Sequence, residues 1–211
     1  MILCHLNKIG VFFAPKTGST SLHKLFSNYT TNLNKHDHIT YEELFNKHPE
    51  LMSYDFYAFY REPADRLLSA LLFIKQKRKP DMFRIITGTN PERPDRLSEE
   101  QTSVVDNYSV YKMLENFSLF NPGLDLEFNW LLKPQVHWLD HKSIQLLNFY
   151  DYDNEVQNLL LKFQFIPHLT FKANTTIHPK EPDIFKTCQQ FATNYYKQDY
   201  EFFEARGIQF T

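Results

Sequence analysis

The sequence predicts an α/β protein with a central parallel β-sheet flanked by helices. Two segments of the 211-residue chain, starting at Ile9 and at Tyr54, each show the order strand, polar loop, helix. Strands that alternate with helices along a chain form parallel sheets with helices packed on them. Hydrophobic residues make up 42% of the chain and aromatic residues 16%, which is enough for a full core. The length fits one domain over residues 1–211.

The first of these segments opens with IGVFFA at residues 9–14, a short apolar run that predicts a buried strand. The turn PKTGST follows, and residues 21–29 then carry apolar side chains at helical spacing. In the second segment, the aromatic run at residues 54–60 predicts a strand. Pro63 suits the first turn of a helix, and residues 65–76 continue that helix with an apolar face.

The later part of the chain is predicted from the same patterns. Residues 75–103 are rich in Pro, Arg and Glu and predict a long loop or lid. The other predicted elements are a helix at 107–117, a strand at 144–150, a helix at 154–163 and one long helix at 183–206, capped by Gly207.

Charge and targeting patterns limit the possible partners. A net charge of −2 excludes a bulk electrostatic attraction to nucleic acid, so anion binding must come from local clusters. No stretch approaches the ~20 apolar residues that cross a bilayer, and the N-terminus lacks the order of a signal peptide. We therefore expect a cytoplasmic protein with no membrane partner, while an excised lumenal domain would show the same features. The cysteines, Cys4 and Cys188, are expected to be free, buried thiols.

The first motif with chemical meaning is the loop Pro15-Lys16-Thr17-Gly18-Ser19-Thr20-Ser21, between the first predicted strand and its helix. This position puts backbone N–H groups and hydroxyls at the positive end of a helix, where a phosphate or sulfate binds readily. Lys16 adds a full positive charge where a leaving group would become negative. The loop does not match a Walker A sequence, which requires G-x-x-x-x-G-K-[ST]. The alternative interpretation is a polar helix cap with an incidental lysine.

The second motif is Arg61 with Ser69. Arg61 follows the second predicted strand and Ser69 lies two turns into the next helix, so both can face the carboxyl edge of the sheet. A guanidinium and a hydroxyl at that edge would suit a second phosphate. Alone, this motif is weak, because an arginine after a strand more often forms a surface ion pair, here with Glu62 or Asp65.

Together, the sequences PKTGSTSL and YREPADRLLSALLF resemble the sulfotransferases that use PAPS (3′-phosphoadenosine 5′-phosphosulfate). The likeness is to the carbohydrate O-sulfotransferases, with the heparan sulfate 2-O-sulfotransferase branch nearest. It implies the P-loop-like sulfotransferase fold, in which the first loop, residues 16–21, holds the 5′-phosphosulfate. It also implies that Lys16 contacts the transferring group and that Arg61 and Ser69 bind the 3′-phosphate.

The resemblance continues through most of the chain outside residues 75–103. Supporting segments lie at 133–139, 150–156, 166–176 and 196–203. By position within the family pattern, Lys172 and Thr175, with Thr176, fall where a late loop closes over the nucleotide.

The third motif is His36-Asp37-His38. Sulfuryl transfer to a hydroxyl needs a base, and imidazole titrates in the useful range. The resemblance implies that His38 is the principal base and His36 its neighbour. If His38 does not take this role, Glu42 or Glu43 is the alternative.

A metal ion is not expected. His5, His36 and His38 have no further Cys or His at a spacing that completes a recognisable site. A basic stretch could steer an anionic acceptor or could equally be a solvated helix end and loop; it consists of Lys75, Lys77, Arg78, Lys79, Arg84, Arg93 and Arg96.

The sequence therefore predicts an enzyme that transfers a sulfuryl group from PAPS to a hydroxyl, with a carbohydrate acceptor favoured and PAP as the product. Two alternatives stay open: a P-loop-type kinase of a small metabolite, and a non-catalytic protein that binds PAP or an anionic glycan.

Overall fold

The computed structural model describes residues 1–26, 39–76, 110–115, 117, 131–164 and 182–210. Within it the chain forms two compact units. The first comprises Met1–Glu62, Pro134–Thr175 and Glu201–Thr211, and the second comprises Pro63–Lys133 and Thr176–Tyr200. The predicted single domain over residues 1–211 stays a prediction.

Strands and helices are interspersed along the described chain, as in an α/β protein. The strands are β1 (Ile2–Cys4), β2 (Ile9–Phe12), β3 (Asp55–Tyr60) and β4 (Ile144–Asn148). The helices are α1 (Ser19–Phe26), α2 (Tyr41–Lys47), α3 (Pro63–Gln76), α4 (Val110–Glu115), α5 (Val136–Leu139), α6 (Tyr152–Lys162), α7 (Pro182–Tyr195) and α8 (Lys197–Glu204). Short 3₁₀ turns cover Pro49–Ser53 and Phe149–Asp151.

The sheet of the first unit has the strand order β1-β2-β3-β4. Strands β2, β3 and β4 run parallel, with Val11 opposite Tyr57 and Tyr57 opposite Gln145. Strand β1 pairs with β2 in the antiparallel direction. The predicted central parallel sheet is confirmed for β2, β3 and β4, while the strand β1, which the sequence did not predict, makes the sheet mixed. With three residues, β1 is too short to show a period of its own.

The core of the first unit lies against this sheet. It is built from the apolar side chains of the strands together with those of α1 and α6, including Val11, Phe13, Leu22, Phe59 and Leu159. Burial of these side chains is the main force that holds the helices on the sheet. Helix α2 begins with a capping box, in which Thr40 accepts from the backbone N–H of Glu43 and Glu43 accepts from that of Thr40.

The second unit is a helical cluster with a separate core. Side chains of α3, α4 and α7 form it, among them Leu67, Leu71, Met113, Ile184 and Ala192. Helix α3 begins at Pro63, as predicted, because proline needs no N–H partner at a helix start.

The predicted single helix at 183–206 is wrong, because the chain turns between α7 and α8 at Tyr196. The N–H of Asp199 donates to the carbonyl of Tyr196, a three-residue bond that interrupts the four-residue helical series. Tyr196 is fully buried, and its hydroxyl donates to the carbonyl of Leu132 at 2.7 Å. This long-range anchor is not visible in the helical periodicity. The predicted Gly207 cap is confirmed, with φ 75° and the two backbone bonds of a Schellman motif.

Candidate functional site

Three connections of the first unit meet at one edge of the sheet. They follow β2, β3 and β4, whose carboxyl ends lie side by side because these strands are parallel. Ligands of open α/β sheets bind at this edge, where loops rather than strands supply the side chains. We therefore take the loop 13–18, Arg61 and the segment Phe149–Asp151 as the candidate site.

The loop after β2 is held in a special conformation. Lys16 (φ 68°) and Gly18 (φ 91°) both adopt positive φ, and the carbonyl of Gly18 accepts the first helical bonds, from the N–H groups of Ser21 and Leu22. Helix α1 therefore begins directly after Gly18, two residues earlier than predicted. Such a turn into a helix start directs backbone N–H groups to one side and suits an anion.

The hydroxyls of this loop are not equivalent. Thr17 is fully buried, and its hydroxyl donates to the carbonyl of Ala14 at 2.7 Å. A hydroxyl has one proton to donate, so the Thr17 side chain cannot also donate to an anion. Ser19 is half-buried and Thr20 is exposed. Of the hydroxyls in residues 16–21, those of Ser19 and Thr20 are open to solvent, whereas Ser21 is buried.

Tyr152, at the start of α6, closes over Gly18. Its hydroxyl donates to the carbonyl of Gly18 at 3.3 Å, and a Cβ on Gly18 would lie 2.6 Å from the tyrosine ring. Burial raises the pKa of Tyr152 far above its ordinary value, while a hydrogen bond with Ser21 acts in the opposite direction. The phenol is therefore neutral at physiological pH and serves as a fixed hydrogen-bond donor.

Arg61, directly after β3, connects all three loops. It is 5% exposed, and its guanidinium donates through Nη1 to the carbonyl of Lys16 at 3.1 Å. The guanidinium also lies over the ring of Phe149, 4.7 Å from its centroid. Gln135 holds the Arg61 backbone from both sides, since its Oε1 accepts from the N–H at 3.0 Å and its Nε2 donates to the carbonyl at 2.7 Å.

Ser69 lies on α3, in the second unit. It is 1% exposed, and within the described part of the chain its Oγ has no hydrogen-bond partner. Its predicted role beside Arg61 at a 3′-phosphate stays a prediction.

Four predicted site residues, His36, His38, Lys172 and Thr175, fall outside the described residues.

Glu42 and Glu43, the alternatives to His38 as the base, both lie in the first turn of α2. Glu43 closes the capping box of α2, with its Oε2 accepting from the N–H of Thr40 at 2.9 Å. That backbone hydrogen bond lowers the pKa of Glu43 below its ordinary value, although partial burial opposes the shift. A carboxylate with a lowered pKa is a weaker base. Glu43 is therefore a poor candidate, and Glu42, which is exposed, is the carboxylate that remains available.

Among the residues that the structure describes, no group of three or more His, Cys, Asp and Glu side chains is arranged to hold a metal ion. The ring of His5 is hydrogen-bonded to the hydroxyl of Tyr54. In the same described ranges, no helix combines the length and the apolar character needed to cross a membrane. Cys4 and Cys188 form no disulfide bond with each other, and both are buried, as predicted.

Sequence reasoning did not assign roles to Gln135, Phe149 and Tyr152. The sequence predicted a strand over residues 144–150, which includes Phe149, whereas the observed strand β4 ends at Asn148. A shorter strand would have placed Phe149 and Tyr152 at the carboxyl edge. The role of Gln135 could not be predicted from its neighbours in the sequence, because its hydrogen bonds are to Arg61, 74 positions away.

Comparison of the chain with protein-family models, with curated proteins and with solved structures gave no match.

Proposed function

We propose that this protein is a sulfotransferase that moves a sulfuryl group from PAPS to an acceptor hydroxyl, with a carbohydrate as the favoured acceptor class. The proposal joins the sequence resemblance to the geometry of the loop after β2. The observation that carries it is the loop itself, which turns through Lys16 and Gly18 at positive φ into the start of α1.

The residues of the loop fit the 5′-phosphosulfate end of PAPS. Backbone N–H groups at the start of α1 and the accessible hydroxyls of Ser19 and Thr20 are donors suited to anionic oxygens. Lys16 is half-buried and adds a positive charge to this loop. Arg61 would bind the 3′-phosphate, as the resemblance implies, from the end of the neighbouring strand.

The proposed reaction is an in-line displacement at sulfur. The bond between sulfur and the phosphate oxygen breaks as the acceptor oxygen forms its bond to sulfur, and PAP leaves. Lys16 stabilises the negative charge that develops on the departing phosphate oxygen. His38 accepts the proton of the acceptor hydroxyl, a role taken from the resemblance.

Calorimetric titration with PAP, 5′-AMP and ATP tests the nucleotide assignment. We expect PAP to bind at least about tenfold tighter than 5′-AMP, the effect of one well-placed charged contact. ATP should show no such advantage, since it lacks a 3′-phosphate. Equal affinities for PAP and 5′-AMP would contradict the proposal, and tight, magnesium-dependent ATP binding would favour a kinase.

Substitution of the predicted base separates an enzyme from a binding protein. His38→Ala should leave PAP affinity unchanged within about twofold and lower sulfuryl transfer from labelled PAPS by 10²-fold or more, the usual contribution of a general base. His48→Ala is the matched control and should keep full transfer activity, because it removes the same side chain at a partly exposed position beside Glu50, outside the proposed site. Full transfer activity in His38→Ala would remove His38 from the mechanism.

A further inference from the structure

We propose that Arg61 is a positioning residue for the Lys16 loop, in addition to any contact that it makes with a 3′-phosphate. This inference rests on the proposed function, because it concerns the nucleotide site described above. It predicts that the arginine matters even for a ligand with no 3′-phosphate.

The Lys16 backbone needs an external support. Its φ of 68° lies in the left-handed region, which is unfavourable for a residue with a Cβ. Residues in such conformations persist where the surrounding structure holds them. Lys16 stands immediately before the turn into α1, so its conformation determines the direction of the N–H groups that follow.

The Arg61 guanidinium supplies that support. Its Nη1 donates to the Lys16 carbonyl at 3.1 Å, and a hydrogen bond with one charged partner is stronger than a neutral one. Arg61 is 5% exposed, so water competes little for this bond. Loss of the guanidinium would leave the Lys16 carbonyl without this donor.

Arg61 is itself held rigidly. Gln135 is fully buried and bonds both the N–H and the carbonyl of Arg61, while the guanidinium lies over the ring of Phe149. A donor fixed at its backbone and along its side chain loses little entropy when it bonds the loop. Gln135 and Phe149 therefore fix Arg61 at the end of β3, and Arg61 in turn holds the Lys16 carbonyl.

The test compares ligands with and without the 3′-phosphate. In Arg61→Ala, we expect 5′-AMP affinity to fall about tenfold, the usual cost of one lost charged hydrogen bond. PAP affinity should fall further, since PAP also loses its 3′-phosphate contact. Arg61→Lys keeps a cation but not the guanidinium fork, and should give an intermediate loss for 5′-AMP.

Arg206→Ala is the matched control. Arg206 belongs to the same unit and also donates to backbone carbonyls, those of Ile144 and His141, but at the opposite, amino end of β4. We expect its 5′-AMP affinity to equal that of the wild type. A fall of 5′-AMP affinity in Arg61→Ala with no fall in Arg206→Ala supports the positioning role.

The result that would contradict the positioning role differs from the result that would contradict the proposed function. If Arg61→Ala weakens PAP alone and leaves 5′-AMP unchanged, Arg61 acts only on the 3′-phosphate; the positioning role is then wrong and the proposed function stands. If the wild type binds neither nucleotide, the proposed function fails.

A second measurement tests the positioning role without any ligand. Hydrogen exchange of the backbone amides of residues 16–19 should be faster in Arg61→Ala and in Arg61→Lys than in the wild type, and unchanged in Arg206→Ala. Unchanged exchange in both Arg61 variants would overturn the inference. Circular dichroism of each variant establishes that the fold is retained.

Discussion

Tyr152 packs so closely against Gly18 that no residue with a Cβ fits at this position without a shift. The tyrosine ring occupies the space of a Cβ, and the tyrosine hydroxyl donates to the carbonyl of Gly18. Glycine is favoured here for a second reason, because a φ of 91° is unfavourable for any residue with a side chain. The loop that the sequence marks as an anion site is therefore shaped by an aromatic residue 134 positions away.

Gly18→Ala should lower the free energy of unfolding by about 2 kcal/mol, because the new methyl group overlaps the Tyr152 ring and the backbone becomes strained. Urea denaturation measures this change. Tyr152→Phe is the control that removes only the hydroxyl, at a cost of about 1 kcal/mol. In a Tyr152→Ala background, Gly18→Ala should cost less. An equal cost in both backgrounds would show that the ring is not the obstacle.

At the level of secondary structure, the capping box at the start of α2 makes Glu43 unsuitable as a catalytic base. The capping box uses the Glu43 carboxylate to satisfy a backbone N–H that the helix itself leaves unpaired. The carboxylate is also favoured by the positive end of the helix. The same contact that stabilises α2 lowers the pKa of Glu43 and makes it a weak base.

The lowered pKa of Glu43 gives a pH dependence with a definite sign. Its folded pKa lies below the ordinary 4.5, so the ionised form stabilises the fold above that pH, and the contribution is lost as the pH falls through the folded pKa. Glu43→Gln should be less stable than the wild type at pH 7, and the difference should shrink below about pH 4.5. Thermal melts across pH measure this difference.

Glu42→Gln is the control for this charge, since Glu42 lies one residue earlier and outside the capping box. Its stability relative to the wild type should vary less with pH. A Glu43→Gln difference that stays constant down to pH 3 would contradict the assigned cause.

At the scale of the whole molecule, the second unit contains a fully buried cation. Arg66 on α3 donates to the carbonyls of Leu131 and Lys133 and lies over the ring of Tyr196, 5.1 Å from its centroid. Burial of a charge is costly unless its hydrogen bonds are made. The two bonds offset part of that cost, whereas the buried Nε of Arg66 has no hydrogen-bond partner among the described residues. Arg66 therefore ties the segment before residue 134 to α3.

Arg66→Met should destabilise the protein by about 3 kcal/mol, because two carbonyls lose a buried, charged donor. Urea denaturation measures the loss, and hydrogen exchange should locate it in α3, α4 and α7. Arg206→Met is the comparison, since Arg206 is half-exposed and should cost about 1 kcal/mol. Equal costs for the two variants would argue against burial as the cause.

The fold was predictable where the signal is local. The apolar run at residues 9–14 located β2, the aromatic run at 54–60 located β3, and Pro63 marked the start of α3. These features depend on residues that are neighbours in the sequence, so their burial and capping preferences can be recognised from the sequence alone. The break at Tyr196 was not predictable, because the amphipathic pattern continues across it while the anchor, the Leu132 carbonyl, is distant.

The amino-acid sequence was enough to predict an α/β architecture and the polar segment Lys16 to Ser21 after β2, which in the structure comprises the end of the loop and the first residues of α1. The antiparallel pairing of β1 and the contact of Arg61 with the Lys16 carbonyl could be recognised only in the folded chain. The difference is one of distance along the sequence. Periodicity and helix starts reflect bonds within one turn or strand, whereas the site's geometry depends on packing and hydrogen bonds between segments far apart in the chain.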